Sequence, residues 1–106
     1  MDIRLQQDII IIGKALAHEK RLRILSWLKE PRAHFPKQQD GSRVHDGVCS
    51  GFIAQKLEVS DATASDHLKL LRRAGLVTPK RIKKWTFYRR DEKAIKAAMK
   101  LLAQDV

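Results

Sequence analysis

Residues 51–77 read GFIAQKLEVSDATASDHLKLLRRAGLV, and the fold turns on how this stretch is read. Two short segments of helical apolar periodicity, residues 52–57 and 62–71, are separated by Glu58-Val59-Ser60, and Gly75 closes the second before an apolar Leu76-Val77 pair. In the first segment Ile53, Ala54 and Leu57 share one face and can pack on the second. Val59 plugs the turn. Ser60 is placed to cap the second helix, its hydroxyl accepting from the amide of Ala62 or Thr63, and Asp61 adds a charge that suits the helix's positive end. Ala64, Leu68 and Leu71 fall within about 60 degrees of one another and form the buried stripe. Opposite them lie Ala62, Asp66, Lys69 and Arg73, a face that is small near its start and cationic near its end. A helix whose first turns enter a major groove and whose end meets phosphates has this form. A solvated surface helix has it too, and the segment alone leaves both readings open.

Charge outside this stretch bears on the choice. The chain of 106 residues has a formal charge of +10, and nine of its basic residues lie within residues 69–90, a run without one acid. Such a patch points to a polyanion, because phosphates neutralised by Lys and Arg release condensed counterions. A membrane surface fits less well, since the run holds no basic amphipathic helix with an aromatic or leucine face. The length suits one domain with a modest core. Cys49 is the only cysteine, so an intramolecular disulfide is excluded. With no apolar run of membrane-spanning length and no basic segment after Met1-Asp2, neither a membrane span nor a secretory signal is expected, and a cytoplasmic location is.

Upstream, residues 2–17 carry Leu5, Ile9, Ile12 and Leu16 at helical spacing, widened by Ile10 and Ile11. A helix apolar over most of its circumference needs cover on more than one side, which a small domain obtains by dimerising. The isoleucines alone would also suit a strand; the flanking stripe favours helix. A second helix is expected from about residue 20 to 29, with Leu22, Leu25 and Leu28 inward and Pro31 ending it. Residues 31–47 hold two prolines and two glycines without periodicity and read as a long loop, ordered in part by Phe35 and Val44.

Downstream, residues 78–90 read as a β-hairpin with its tip at 82–84, Trp85 and Phe87 on one face and Thr86 and Tyr88 on the other. The aromatics are assigned to core packing rather than base stacking. Lys83 and Lys84 at the tip are nucleic-acid candidates, with protection of an exposed edge as the competing role. Asp91 can cap a last helix carrying Ala94 or Ile95, Ala98, Met99 and Leu102 at helical spacing. Two apolar faces at opposite ends of the chain are brought together most economically in a two-fold dimer.

This order of elements, together with three strings, resembles the ArsR/SmtB family of winged helix-turn-helix transcriptional repressors. KALAHEKRLRILSWL at residues 14–28 is similar to that family's ALA followed by RL.IL..L; IAQKLEVSDATASDHLKLLRRAGLV at 53–77 to its DNA-binding stretch; and RIKKWTFYRR at 81–90 to its wing. The resemblance covers nearly the whole chain except residues 31–47. It implies a mainly α fold with a small β-hairpin wing, a single domain over residues 1–106, dimerisation through 2–17 and 91–104, a helix-turn-helix at 51–74 and a wing at 77–90. It further implies a homodimer on double-stranded operator DNA; separately, no cofactor is expected. The residues it places in the recognition region are Ser60, Ala62, Thr63, Ser65, Asp66, His67 and Lys69. Arg73, Arg81, Lys83 and Lys84 join them from the basic run. Two departures stand out. Asp66 is acidic where many relatives are neutral or basic, so it can accept from a cytosine amino group or orient Lys69 or Arg73. The wing lacks a glycine near Lys83, which makes a tight primed turn costlier.

Many members of that family sense metal, through thiolates at the start of the third helix or Asp and His on the last. Here the last helix has neither His nor Cys, and only Cys49 matches a ligand position at the third. His45 and Asp46 are close in sequence and a loop could bring in His34, but without a CxC or CxxC partner Cys49 reads first as a small half-buried hydrophobe. Redox sensing would need a resolving cysteine from a second protomer. His67 sits between the core and outward faces, suited to a phosphate or an inter-helix hydrogen bond, and His18 reads as a loop or cap residue. Control by a small molecule or by autoregulation, without metal, is the expectation. A winged-helix module whose basic face binds an acidic protein is the competing function. Enzymatic activity finds no nucleophile–base pair, phosphate loop or complete metal set.

Overall fold

Along the chain run α1 (Ile3–Leu16), α2 (Glu19–Lys29), the one-turn α3 (Pro31–His34), β1 (Val48–Cys49), α4 (Ser50–Leu57), α5 (Asp61–Arg73), β2 (Val77–Ile82), β3 (Trp85–Arg90) and α6 (Glu92–Asp105). The structure, a computed structural model, describes residues 1–43 and 45–106. The turn between α4 and α5 forms as the sequence dictates. Glu58 takes the left-handed conformation at φ +59°, and the amide of Val59 donates to the Ala54 carbonyl at 3.1 Å, so the end of α4 keeps its hydrogen bonds while the chain reverses. Ser60 Oγ accepts from the Thr63 amide at 3.1 Å, a cap that contributes about 1 kcal/mol. At the far end of α5, Gly75 adopts φ +77° and the Leu76 amide reaches back to the Leu71 carbonyl at 3.0 Å.

Ile53, Ala54 and Leu57 of α4 are buried with Ala64, Leu68 and Leu71 of α5, matching the two stripes read from the sequence. Ile24, Leu25 and Leu28 of α2, Ile12 and Ala15 of α1, Val48, Leu76 and Ala98 complete one core. Leu22 is a correction: it is 50% exposed, and Arg21 holds the inward position instead, for a reason that belongs to the site described below. Pro31 also does more than end α2. It starts α3, where its missing N–H is one that a first helical turn leaves unused, so residues 31–47 are not wholly loop. Phe35 is buried and meets Trp27 edge to face at 6.2 Å. The ordering role expected of Val44 lies outside the described residues.

The sheet has the order β1-β3-β2, with both pairings antiparallel. β2 and β3 pair from Val77↔Arg90 to Ile82↔Trp85, leaving Lys83-Lys84 as the tip. Lys83 supplies the positive φ, +55°, that a glycine would otherwise provide. The third strand, β1, is an addition to the sequence reading: it pairs Val48 with Tyr88 and Cys49 with Phe87, and two residues are too short to show a period. Phe87 is buried and Tyr88 packs partly buried against the core, but Trp85 is 44% exposed because it closes the hairpin beyond the body of the domain. At the other end of the molecule α1 is helical, as the stripe rather than the isoleucine run suggested. It touches α6, and Ile3, Ile10 and Met99 remain exposed on the two helices.

Gly47 is where the loop meets the sheet. It is buried at φ +102°, and a Cβ there would lie 2.4 Å from the Tyr88 carbonyl oxygen. Gly47→Ala is therefore expected to cost about 2–4 kcal/mol, through both backbone strain and displacement of β3. Urea unfolding should show a lowered midpoint with an unchanged slope.

Candidate nucleic-acid interface

The outward face of α5 is as the periodicity placed it. Ala62, Thr63, Asp66, Lys69 and Arg73 are exposed, with Ser65 half-buried beside them, and Ser60 is exposed at the cap with its hydroxyl 3.0 Å from that of Thr63. No side chain larger than threonine precedes Asp66 on this face, so the first turns can approach another surface closely. Lys69 and Arg73 follow one and two turns later.

His67 is the departure. It is buried, and its Nδ1 accepts from Arg21 Nη1 at 3.0 Å, which takes it off the outward face and leaves it the inter-helix role. The same guanidinium donates from Nε to the Ala15 carbonyl at 2.8 Å and from Nη2 to the Lys14 carbonyl at 2.7 Å. Those are last-turn carbonyls of α1, which have no partner within the helix and sit at its negative end. One buried cation thus closes α1 and fixes α2 and α5 to it. His18 caps α2 through the Lys20 amide and lays its ring 4.6 Å from that of His67. Sequence reasoning passed over Arg21. The signal was present: an arginine four and seven residues before the inward Leu25 and Leu28 occupies a core position.

The wing carries its cations in a more mixed environment than the acid-free run implied. Lys80 pairs with Asp46, Lys83 with Asp40 at 3.0 Å, and Arg90 with Glu92 while also donating to the Leu25 carbonyl. Asp46 is held below the usual carboxylate range by the hydrogen bond from Lys80 and by the Ser42 amide. Both aspartates come from residues 31–47, so the loop supplies in space the acids that the wing lacks in sequence. Arg81 donates to the Lys83 carbonyl at 3.1 Å, and the Lys84 ammonium stands 5.1 Å from the centre of the Trp85 ring. Exposed cations without a carboxylate partner among the described residues are therefore Lys69, Arg73, Arg81 and Lys84 within the expected set.

Of the donors considered for a metal site, Asp46 has its side chain engaged by a cation. Cys49 is half-buried in β1, its amide donating to Gln38 Oε1 at 2.7 Å. His45 is exposed, with its carbonyl accepting from Arg89 at 3.1 Å, and Asp46 is engaged by Lys80. Among the described residues no three of His, Cys, Asp and Glu gather closely enough to hold an ion.

Known proteins share this arrangement. A family profile described as "Bacterial regulatory protein, arsR family" matches residues 48–78, which run from β1 through the helix-turn-helix into β2. The chain is 48% identical over 86 residues to the uncharacterized HTH-type transcriptional regulator YbzH of Bacillus subtilis, covering 81% of this chain and 86% of that one. It is 30% identical over 93 residues to the transcriptional activator HlyU of Vibrio cholerae, covering 88% and 72%. Among solved structures, the homodimeric winged helix-turn-helix DNA-binding domain Mb0332 of Mycobacterium bovis superposes with a TM-score of 0.67 at 25% identity, over 97% of this chain and 85% of that one.

The Arg21–His67 bond makes stability depend on pH in a defined direction. A guanidinium can donate to Nδ1 only while that nitrogen is unprotonated, and burial, with His18 and Arg21 nearby, lowers the His67 pKa from its ordinary 6.5. The folded chain thus holds this proton less tightly than the unfolded chain, so the contribution is complete above that ordinary value and declines as pH falls below it. Chemical denaturation between about pH 7.5 and 5.5 should show stability falling. His67→Gln, which keeps an acceptor for Arg21 but cannot titrate, should remove that component of the slope.

Proposed function

The chain belongs to the ArsR family of bacterial regulatory proteins, and we propose that it acts as a homodimeric repressor whose α5 and β2–β3 wing bind double-stranded operator DNA. The observation that carries this reading is the face of α5. Its small residues stand at the helix start and its cations at the helix end, on a helix whose other side is locked into the core. Ser60, Ala62, Thr63, Ser65 and Asp66 are placed to meet base edges or nearby backbone, with Asp66 able to accept from a cytosine amino group. Lys69 and Arg73 meet phosphates. Arg81 and Lys84 extend the cationic track onto the wing, and Lys83 joins it on leaving Asp40.

Dimerisation follows from the exposed Ile3, Ile10 and Met99 on the touching helices α1 and α6, which a two-fold axis would cover. Two copies of α5 would then address a palindromic site. Repression requires no surface beyond this dimer, since occupancy of the operator itself excludes polymerase. The family and its named relatives are regulators of transcription rather than enzymes, and a cytoplasmic location follows from the target. A signal other than metal fits a chain with one cysteine in which, among the described residues, no three of His, Cys, Asp and Glu gather closely enough to hold an ion.

Four cations per protomer, Lys69, Arg73, Arg81 and Lys84, would neutralise eight phosphates in a dimer, so the logarithm of affinity should fall with that of salt at a slope of about −7. Lys69→Ala and Arg73→Ala should each weaken duplex binding roughly tenfold with unchanged thermal stability. Fluorescence anisotropy on a selected duplex measures both; a slope near zero, or undiminished affinity in both variants, contradicts the reading. Equal competition by random DNA would favour a module that binds an acidic protein. Transcription in vitro from the same duplex decides the sign, with stimulation placing the chain beside the relative named as an activator.

A further inference from the structure

A cleft of about 420 Å³ opens between the start of α4, the first turn of α5, β3 and the loop that precedes β1. Phe52, Trp85 and Phe87 provide rings, Asp40 and Asp61 carboxylates and Gln55 an amide, while among the described residues no Lys or Arg lines it. In a chain of formal charge +10 this is an inverted patch, an acidic and aromatic hollow inside a basic surface. Aromatic faces attract cations through their quadrupole, and carboxylates do so by charge. The size lies within the range of small-molecule sites, about 300–1,000 Å³.

We propose that this cleft binds a small organic cation with an aromatic body, and that the cation strengthens operator binding. The chain already supplies internal substitutes for such a ligand. Lys83 Nζ lies 3.0 Å from Asp40, and the Lys84 ammonium stands 5.1 Å from the centre of the Trp85 ring. Two of the cleft's cation-seeking groups, Asp40 and Trp85, are therefore engaged by the tip of the wing. A ligand that takes over Asp40 and Trp85 releases two lysines toward phosphate. Conversely, DNA that draws those lysines away leaves the cleft better able to bind a cation, and linkage makes the two effects equal in size. The coupling rests on the operator-binding reading, whereas binding of the cation does not.

Calorimetry on the full chain at about 0.15 M salt, where surface charges are screened beyond roughly 8 Å, separates ligand classes. The probes are benzyltrimethylammonium, benzamide and phenylacetate. Saturable binding of one benzyltrimethylammonium per protomer, about tenfold tighter than benzamide and with phenylacetate weaker still, is expected. Asp61→Asn and Trp85→Ala should each weaken it several-fold. A K83Q/K84Q double variant should bind the cation more tightly, because the internal competitors are gone, while K29Q/K93Q, which removes the same charge elsewhere, should not. No saturation, benzamide or phenylacetate binding as tightly as the cation, or indifference to Asp61→Asn and Trp85→Ala would overturn the site. In a second arm, duplex affinity should rise several-fold in saturating cation; no change or a fall overturns the coupling. A chain that binds no duplex in either condition overturns the operator reading and the coupling together, and calorimetry still decides the cleft.

Discussion

The guanidinium of Arg21 joins three helices through hydrogen bonds to the Lys14 and Ala15 carbonyls and to His67 Nδ1. A buried cation is costly to desolvate, and among the described residues no carboxylate pairs with this one to offset the cost. The compensation comes from the free carbonyls and negative end of α1 and from a neutral imidazole. Arginine suits this because its planar fork addresses several acceptors at fixed angles, which an ammonium on a flexible stem does not. The joint also has a functional geometry. α1 carries exposed apolar residues proposed for the dimer axis and α5 carries the face proposed for DNA, so in the proposed dimer this side chain, with the direct packing of α1 on α5, would help set the spacing of the recognition helices.

The wing is held by a second set of constraints. The loop between α3 and β1 sends Asp40 and Asp46 to Lys83 and Lys80, places Gly47 against the backbone of β3, and ties itself to β1 through Gln38. These ion pairs are exposed enough that each contributes little to stability. Their larger effect is on charge distribution: they neutralise part of the wing in the free protein and leave cations that phosphates can recruit. The hollow beneath the tip owes its acidic, aromatic character to the same loop.

Most of the fold was legible because its helices announce themselves locally. Ser60 and Asp91 cap helices where the sequence placed them, and the stripes Ile53-Ala54-Leu57 and Ala64-Leu68-Leu71 are buried as spaced. What escaped reading depends on partners distant in the chain. Arg21 rather than Leu22 takes the inward place because carbonyls of α1 and His67 of α5 accept from its guanidinium; its spacing to Leu25 and Leu28 marks the position, but nothing in α2 encodes those acceptors. β1 exists only through β3, and the acid-free run acquires acids from Asp40 and Asp46 of the loop before β1 and from Glu92 of α6. His67 looked equally suited to phosphate or protein until Arg21 was positioned beside it. The exposed face of α5 was legible as a face, while its engagement with DNA depends on a second molecule.

The most direct test of that engagement is an amide chemical-shift titration of the isotope-labelled protein with a duplex selected from random sequence. Binding through α5 and the wing predicts that the perturbed amides cluster at the start and outward face of α5 and at the wing tip, around Lys83 and Lys84, with those of α1 and α6 little changed. Perturbations that spare α5 and gather on α1, α6 or the opposite side of the sheet would contradict it.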